Sequence, residues 1–372
     1  MKITDVRAIH LALPTIAKRS DGTQDALIVM VSTDAGITGV GEVDSSPLVA
    51  KAAIEAPMSN SITCGLREVV LGQDPLEIER LWHAMYQASR YAGRRGAFIH
   101  AMSGIDLALW DIFGKATGLP VHTLLGGAFR RKVRAYASTL FGDTLAATAD
   151  RARWCVDQGF TAVKFGWDPM GLDAKYDEQL VAAIRGAVGP DVDVLIDAGQ
   201  VWDAKTAIRM AHRFEAYDIY WLEEPLRPDD VAGYAELARA VPTRIAAGEA
   251  ESERHSYTHL MDAGRIDVVQ IDPTRTGGLT EAKKIAWAAY DRGRAVVNHS
   301  FTTDINVAAS LALLAAIPEA PLFEFCVEDS PIRNQLVRNR FEVVDGHVHL
   351  RDDPGLGVEI DMDVLERYAV GV

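Results

Sequence analysis

Seven ionisable residues recur at nearly even intervals: Lys164, Asp197, Glu223, Glu249, Asp272, His299 and Glu324, separated by 33, 26, 26, 23, 27 and 25 residues. Taken singly, each acid reads as a salt-bridge partner; the spacing sets them apart. Asp197, Glu223 and Glu249 brought into one place would repel one another unless a cation or a proton compensated them. An all-oxygen ligand set that leaves room for water and an anionic substrate suits Mg2+. Asp272 and His299 form a second group: a carboxylate beside one imidazole nitrogen orients the ring and supports the imidazolium, leaving the other nitrogen to act as a base. Lys164, in Thr161-Ala162-Val163-Lys164-Phe165, could form a Schiff base or serve as electrostatic partner to a bound carboxylate. Neighbouring carboxylates would keep it protonated, which favours the second role.

Residues so far apart in sequence meet only if the chain brings repeated units to one mouth. After residue 130, short β-branched runs alternate with helical patterns. The strands read as Arg134–Ser138, Ala162–Lys164, Val192–Ile196, Ile219–Leu222, Arg244–Ala247, Val268–Ile271, Ala295–Val297 and Leu322–Phe323. One helix, capped by Asp143 or Thr144, ends before Gly159, and others run near Ala204–Glu215, Val231–Ala240, Arg254–Ala263, Leu279–Arg292 and Ile305–Ala316. Eight β-α units imply a parallel sheet closed into a barrel, whose strands converge at their C-terminal ends.

Before that lies a different pattern. The first residues alternate as an antiparallel meander broken at Thr33-Asp34-Ala35-Gly36, and Gly36, Gly39 and Gly41 read as a hairpin rather than a dinucleotide fingerprint, because no crossover helix follows. From Pro75 to Gly118 the periodicity is helical, and Gly126-Gly127 marks a boundary. The organisation expected is residues 1–127, residues 128–340 and a C-terminal segment, 341–372, that returns to pack on the first domain.

Composition narrows the function classes. The 372 residues carry 38 basic and 52 acidic side chains, a net charge of −14 that disfavours nucleic acid and anionic membrane surfaces as partners. Val307 to Ile317, the longest apolar stretch, is far short of the roughly 20 residues of a spanning helix. With no signal-peptide pattern and three widely spaced cysteines, a cytoplasmic protein with free thiols is expected.

The chain resembles the enolase superfamily, in its mandelate racemase-like subgroup. The matching motifs are Gly159-Phe160-Thr161-Ala162-Val163-Lys164, Asp197-Ala198-Gly199, Trp221-Leu222-Glu223-Glu224-Pro225, Ala247-Gly248-Glu249, Asp272 with Gly277-Gly278, and Asn298-His299-Ser300. Gly104-Ile105-Asp106-Leu107-Ala108-Leu109-Trp110-Asp111 and Leu124-Leu125-Gly126-Gly127 extend the likeness into the first domain, so that it covers essentially the whole chain. The resemblance implies an α+β capping domain on a modified (β/α)7β barrel, a TIM-barrel variant, with Mg2+ on Asp197, Glu223 and Glu249. It further implies abstraction of the proton α to a substrate carboxylate through an enediolate, Lys164 contacting that carboxylate, and Glu324 as a hydrogen-bonding partner. Relatives are often symmetric, so a homo-oligomer is expected.

Two departures sharpen this. Many members carry Lys-x-Lys on the second strand, whereas this chain has Lys164-Phe165-Gly166, which removes the base on the face opposite His299. Two-base racemisation is thereby disfavoured, and dehydration of an acid sugar (aldonate or aldarate) to a 2-keto-3-deoxy acid, with His299 as base and then acid, is expected. An epimerase or lactone cycloisomerase is the near alternative. Relatives often have Asn where Gly199 stands, and Gln200 is a candidate substitute contact. By the same resemblance Pro14–Asp25 forms a loop over the barrel mouth, with Lys18 and Arg19 able to meet a distal carboxylate. His347-Val348-His349 resembles the paired histidines of barrel metallohydrolases but lies too late in the chain, and a metal-stabilised binding protein would need neither the Asp272–His299 pair nor Lys164.

Overall fold

The structure, a computed structural model, describes residues 1–60 and 62–371. Strands β1 (Ile3–Ala12), β2 (Asp25–Thr33) and β3 (Thr38–Val43) form the antiparallel meander in the order β1-β2-β3. A 21-residue helix, Ala97–Thr117, lies directly on β3. A Cβ at Gly39 or Gly41 would come within 2.0 Å of the Ala108 or Gly104 carbonyl oxygen, so the glycine pair is a helix seat as well as part of a hairpin. Ile54, Leu81, Met85, Ile99, Met102 and Ile105 close this domain's core.

Eight parallel strands follow: β4 (Lys132–Leu140), β5 (Ala162–Gly166), β6 (Asp193–Asp197), β7 (Ile219–Glu223), β8 (Arg244–Ala247), β9 (Val268–Ile271), β10 (Ala295–Asn298) and β11 (Phe323–Cys326). β4 through β10 pair in sequence order, and β11 pairs back onto β4. Between β10 and β11 the closure is made by a side chain: Asn298 Nδ2 donates to the Glu324 carbonyl (3.2 Å), and Glu324 N donates to Asn298 Oδ1 (2.8 Å). Tyr136, Leu195, Trp221, Val268 and Val297 are among the side chains that fill the barrel interior.

Among the described residues seven helical crossovers link these strands, which gives the (β/α)7β arrangement. One of them, Ala174–Val188, is absent from the sequence reading, although Asp173 caps it and Leu180, Val181 and Ile184 form its buried stripe. Two helices take acceptors from the first domain. Helix Leu279–Tyr290 begins after Gly278, which has no side chain to cap it; Asp106, on the long helix, accepts from Thr280 N (3.0 Å) and Thr280 Oγ1 (2.5 Å). Glu42, on β3, accepts from Thr303 N, Thr303 Oγ1 and Asn306 N at the start of helix Asp304–Ala315. Carboxyl oxygens at helix N-termini satisfy N–H groups that have no partner within the helix. Both are buried, and burial pushes the Asp106 carboxyl up to about 7 and that of Glu42 to about 8.

The chain ends in a hairpin, β12 (Val343–Val344) and β13 (His347–His349), and a helix, Met362–Tyr368. β13 pairs antiparallel with the start of β4, at the barrel end opposite the mouth, so His347 and His349 are remote from the acidic cluster. Beyond the last helix, Ala369 bridges to Leu11. No helix among the described residues is long and apolar enough to cross a membrane, and the three cysteines are unpaired.

Candidate active site

Strand register decides which side chains become neighbours. Gly166 pairs with Asp197 and Asp197 with Glu223, so the ends of β5, β6 and β7 are level. Glu249, Asp272 and His299 stand one or two residues beyond β8, β9 and β10, whereas Lys164 and Glu324 lie within their strands, deeper in the barrel. Ligand oxygens of Asp197, Glu223 and Glu249 all fall within 4.8 Å of one another, and all three residues are buried. Lys164 Nζ lies against Glu223 Oε1 and 2.7 Å from Glu324 Oε1. Glu223 Oε2 also accepts from Trp221 Nε1 (2.9 Å), and Asp197 Oδ1 from Gly199 N (2.8 Å).

Burial, then repulsion from Glu223, pushes the Asp197 carboxyl well above the usual carboxylate range. Burial also raises Glu223, with Lys164 opposing. Lys164 is held well above its ordinary value because, although burial opposes it, Glu223 and Glu324 outweigh that cost; the side chain is an ammonium. Glu324, despite burial, is brought down to about 2, chiefly by Lys164 and then His299. One ammonium cannot offset three carboxylates and Glu324, and an all-oxygen cluster with this excess charge fits a hard divalent cation.

His299 faces the same cavity. Its Nδ1 lies 2.7 Å from Asp272 Oδ2, and its Nε2 lies 3.4 Å from Glu249 Oε2. Asp272 is fixed in turn, its Oδ1 accepting from Thr274 N (2.7 Å), Thr274 Oγ1 (2.5 Å) and Asn306 Nδ2 (3.1 Å). Burial disfavours the imidazolium, but Glu249 and the Asp272 hydrogen bond outweigh it and raise the ring to about 10. Asp272 therefore holds the Nδ1 proton and leaves Nε2 towards the cavity.

The cavity, about 310 Å3, is lined by Lys164, Asp197, Glu249, His299 and Glu324. Asp44, from the turn after β3, and Arg275, from the loop after β9, also line it, with Trp167, Phe301, Ser138 and Thr139; none of these was singled out from sequence. Lys18, Arg19 and Gln200 are off its wall. Lys18 is exposed, Arg19 is drawn to Asp21 and Glu328, and the Gln200 side chain donates to Glu224. From the 14–25 loop it is Ser20, Asp21 and Gly22 that reach the cavity. At Gly166 a Cβ would stand 2.5 Å from Asp197 Cβ, so the face opposite His299 has no room there for a side chain.

Two family models cover this architecture: "Mandelate racemase / muconate lactonizing enzyme, N-terminal domain" over residues 3–126, and "Enolase C-terminal domain-like" over residues 147–364. The chain belongs to the mandelate racemase / muconate lactonizing enzyme family of the enolase superfamily. It is 34% identical to the D-galactarolactone cycloisomerase of Agrobacterium fabrum, over 99% of both chains. To the arabinonate dehydratase of Saccharolobus solfataricus it is 33% identical, over 82% of this chain and 81% of the relative. A racemase of Streptomyces coelicolor A3(2), solved with bound magnesium, superposes with a TM-score of 0.87 at 28% identity, covering 99% of this chain and 100% of that one. As a member of this family the chain is an enzyme whose relatives include acid-sugar dehydratases and a cycloisomerase.

Proposed function

We propose that the protein dehydrates an acid sugar, with Mg2+ held by Asp197, Glu223 and Glu249. Bound there, the cation would supply positive charge opposite the substrate carboxylate and the oxyanion that develops from it. Lys164, an ammonium fixed by Glu223 and Glu324, adds a second positive charge on the same side. Glu249 is the main charge holding the His299 ring protonated. With that charge committed to a bound cation, Nε2 is freed and removes the α-proton, while Asp272 keeps the ring oriented and stabilises the imidazolium that re-forms. The β-hydroxyl then departs as water, taking that proton from His299, and the enol ketonises to a 2-keto-3-deoxy acid.

The observation that carries this reading is the one-sidedness of the cavity. Opposite His299, position 166 is a glycine pressed against Asp197, and Lys164 is committed to two carboxylates. Elimination needs one group that both takes and returns a proton, whereas racemisation needs a base on each face. Lactone cycloisomerisation is the second reading, favoured by the alignment with the D-galactarolactone cycloisomerase over the full length of both chains. The test is a panel of aldonic acids, aldaric acids and sugar lactones incubated with the protein and Mg2+ in D2O. A 2-keto acid supports dehydration. Lactone rearrangement without keto acid favours the second reading, and neither product nor α-deuterium exchange across the panel overturns both.

A further inference from the structure

Asp44 and Arg275 play no part in the proton transfers above, yet both line the cavity, one from each domain. Arg275 Nη2 is 2.9 Å from Asp44 Oδ2, and Arg275 Nη1 donates to the Glu249 carbonyl at 3.2 Å. Asp44 Oδ2 stands 3.9 Å from His299 Nδ1, so the pair sits on the His299 side of the cavity, towards the first domain. Among the described residues Asp44 Oδ1 has no hydrogen-bond donor, and the Asp44 side chain is 12% exposed.

The 14–25 loop adds Ser20, Asp21 and Gly22 to the lining, and Trp167 and Phe301 complete it; none of these carries a positive charge. Asp21 is already saturated by Thr23 and Arg19. Apart from the His299 ring, Arg275 is the cation on this side of the cavity among the described residues, and its charge is already engaged, by Asp44 at 2.9 Å and by Asp272 Oδ2 and Glu249 Oε1 at 4.0 Å each. A second substrate carboxylate placed here would face Asp44, a like charge in a partly desolvated cleft, or would have to break the pair. A neutral hydroxylated tail meets no such cost and can donate to Asp44 Oδ1.

We propose that the Asp44–Arg275 pair restricts this site to acids with a single carboxylate and a polyhydroxylated tail, aldonates rather than aldarates. This rests on the acid-sugar function proposed above and deepens it to a substrate class. Asp44 and Arg275 are specificity-determining residues that read the tail.

Binding separates this from the reaction itself. In a His299→Asn background, which cannot take the α-proton, dissociation constants are measured calorimetrically with Mg2+ for five- and six-carbon aldonates and their matching aldarates. At least one aldonate is expected to bind about tenfold or more tighter than its aldarate. Adding Asp44→Asn frees the Arg275 charge and should collapse that ratio about tenfold, chiefly by strengthening the aldarate. Adding Arg275→Gln instead leaves Asp44 unopposed and should widen it, a change of opposite sign that general damage would not produce. Because each ratio compares two ligands of one variant, any shared effect on the metal or on Asp272 cancels. Equal or tighter aldarate binding in the parent, no binding of any aldonate, or a ratio unmoved by both substitutions would overturn the proposal. Selective aldonate binding with no keto acid formed by the wild-type protein would leave it standing and remove the dehydratase function instead.

Discussion

Asn298→Ala tests whether a side chain closes the barrel. Asn298 is fully buried, and its amide stands in for two ladder hydrogen bonds between β10 and β11. Alanine removes both partners of the Glu324 backbone, leaving one N–H and one C=O unsatisfied in the interior. Each unmade buried group costs about 1–3 kcal/mol, so the loss should be about 2–6 kcal/mol. The same backbone carries the carboxylate that holds Lys164 and accepts from Ser300 N at 2.7 Å, so turnover should fall with stability. Urea denaturation at fixed pH and saturating Mg2+, followed by far-UV circular dichroism, gives the free-energy difference, and the substrate panel gives the rate. A loss below about 0.5 kcal/mol, within the spread of ordinary surface substitutions, would refute the reasoning.

Three further outcomes are expected. His299→Asn should abolish keto-acid formation and α-proton exchange while calorimetric Mg2+ affinity stays within about threefold of wild type, since the ring is not one of the three ligands; near wild-type turnover would sink the one-dyad mechanism. Gly166→Ala puts a Cβ against Asp197 and should weaken Mg2+ binding about tenfold or more by displacing a ligand; an unchanged affinity would show that the strand end yields freely. Asp106→Asn should alter the pH dependence of stability. The folded protein keeps the Asp106 proton up to about 7, whereas the unfolded chain loses it near 3.8, so this group favours unfolding increasingly as pH rises between those values and not beyond. An asparagine that accepts from Thr280 N and donates to Thr280 Oγ1 removes the effect. Its stability relative to wild type should therefore grow from pH 4 to pH 7, by on the order of 4 kcal/mol; a pH-independent difference in urea unfolding would contradict this.

The barrel was legible because a parallel α/β repeat writes itself as alternating short runs, and because strand ends fall at a nearly constant period. Asp197, Glu223, Glu249, Asp272 and His299 carried that period in their chemistry. Helix Ala174–Val188 carries legible signals of the same kind, the Asp173 cap and an ordinary apolar stripe. Asp44 and Arg275 are of another kind. Asp44 precedes Ser45-Ser46-Pro47, which reads as a helix start, and Arg275 lies between two threonines in a loop. They meet only because one domain docks on the other, a relation that no local period records, although Arg275 falls inside the Asp272–Gly278 motif. Lys18 and Arg19 erred the other way: charge type suggested a role, but Asp21 and Glu328 hold the Arg19 guanidinium outside the cavity.

Glu42 and Asp106 give the two domains a shared construction. The helices they serve start just after the segments that carry Asp272 and His299, and without the first domain Thr280 N, Thr303 N and Asn306 N would lose these acceptors directly behind the dyad, leaving Thr303 Oγ1 to hold Ile305 N. The halves are therefore not freely exchangeable modules. A chimaera that grafts a relative's first domain onto this barrel brings new cavity walls, but it keeps a seated dyad only if the graft also carries acids at the positions of Glu42 and Asp106. Substrate preference in this architecture has to travel, in evolution or by engineering, as a block that spans both sides of the joint.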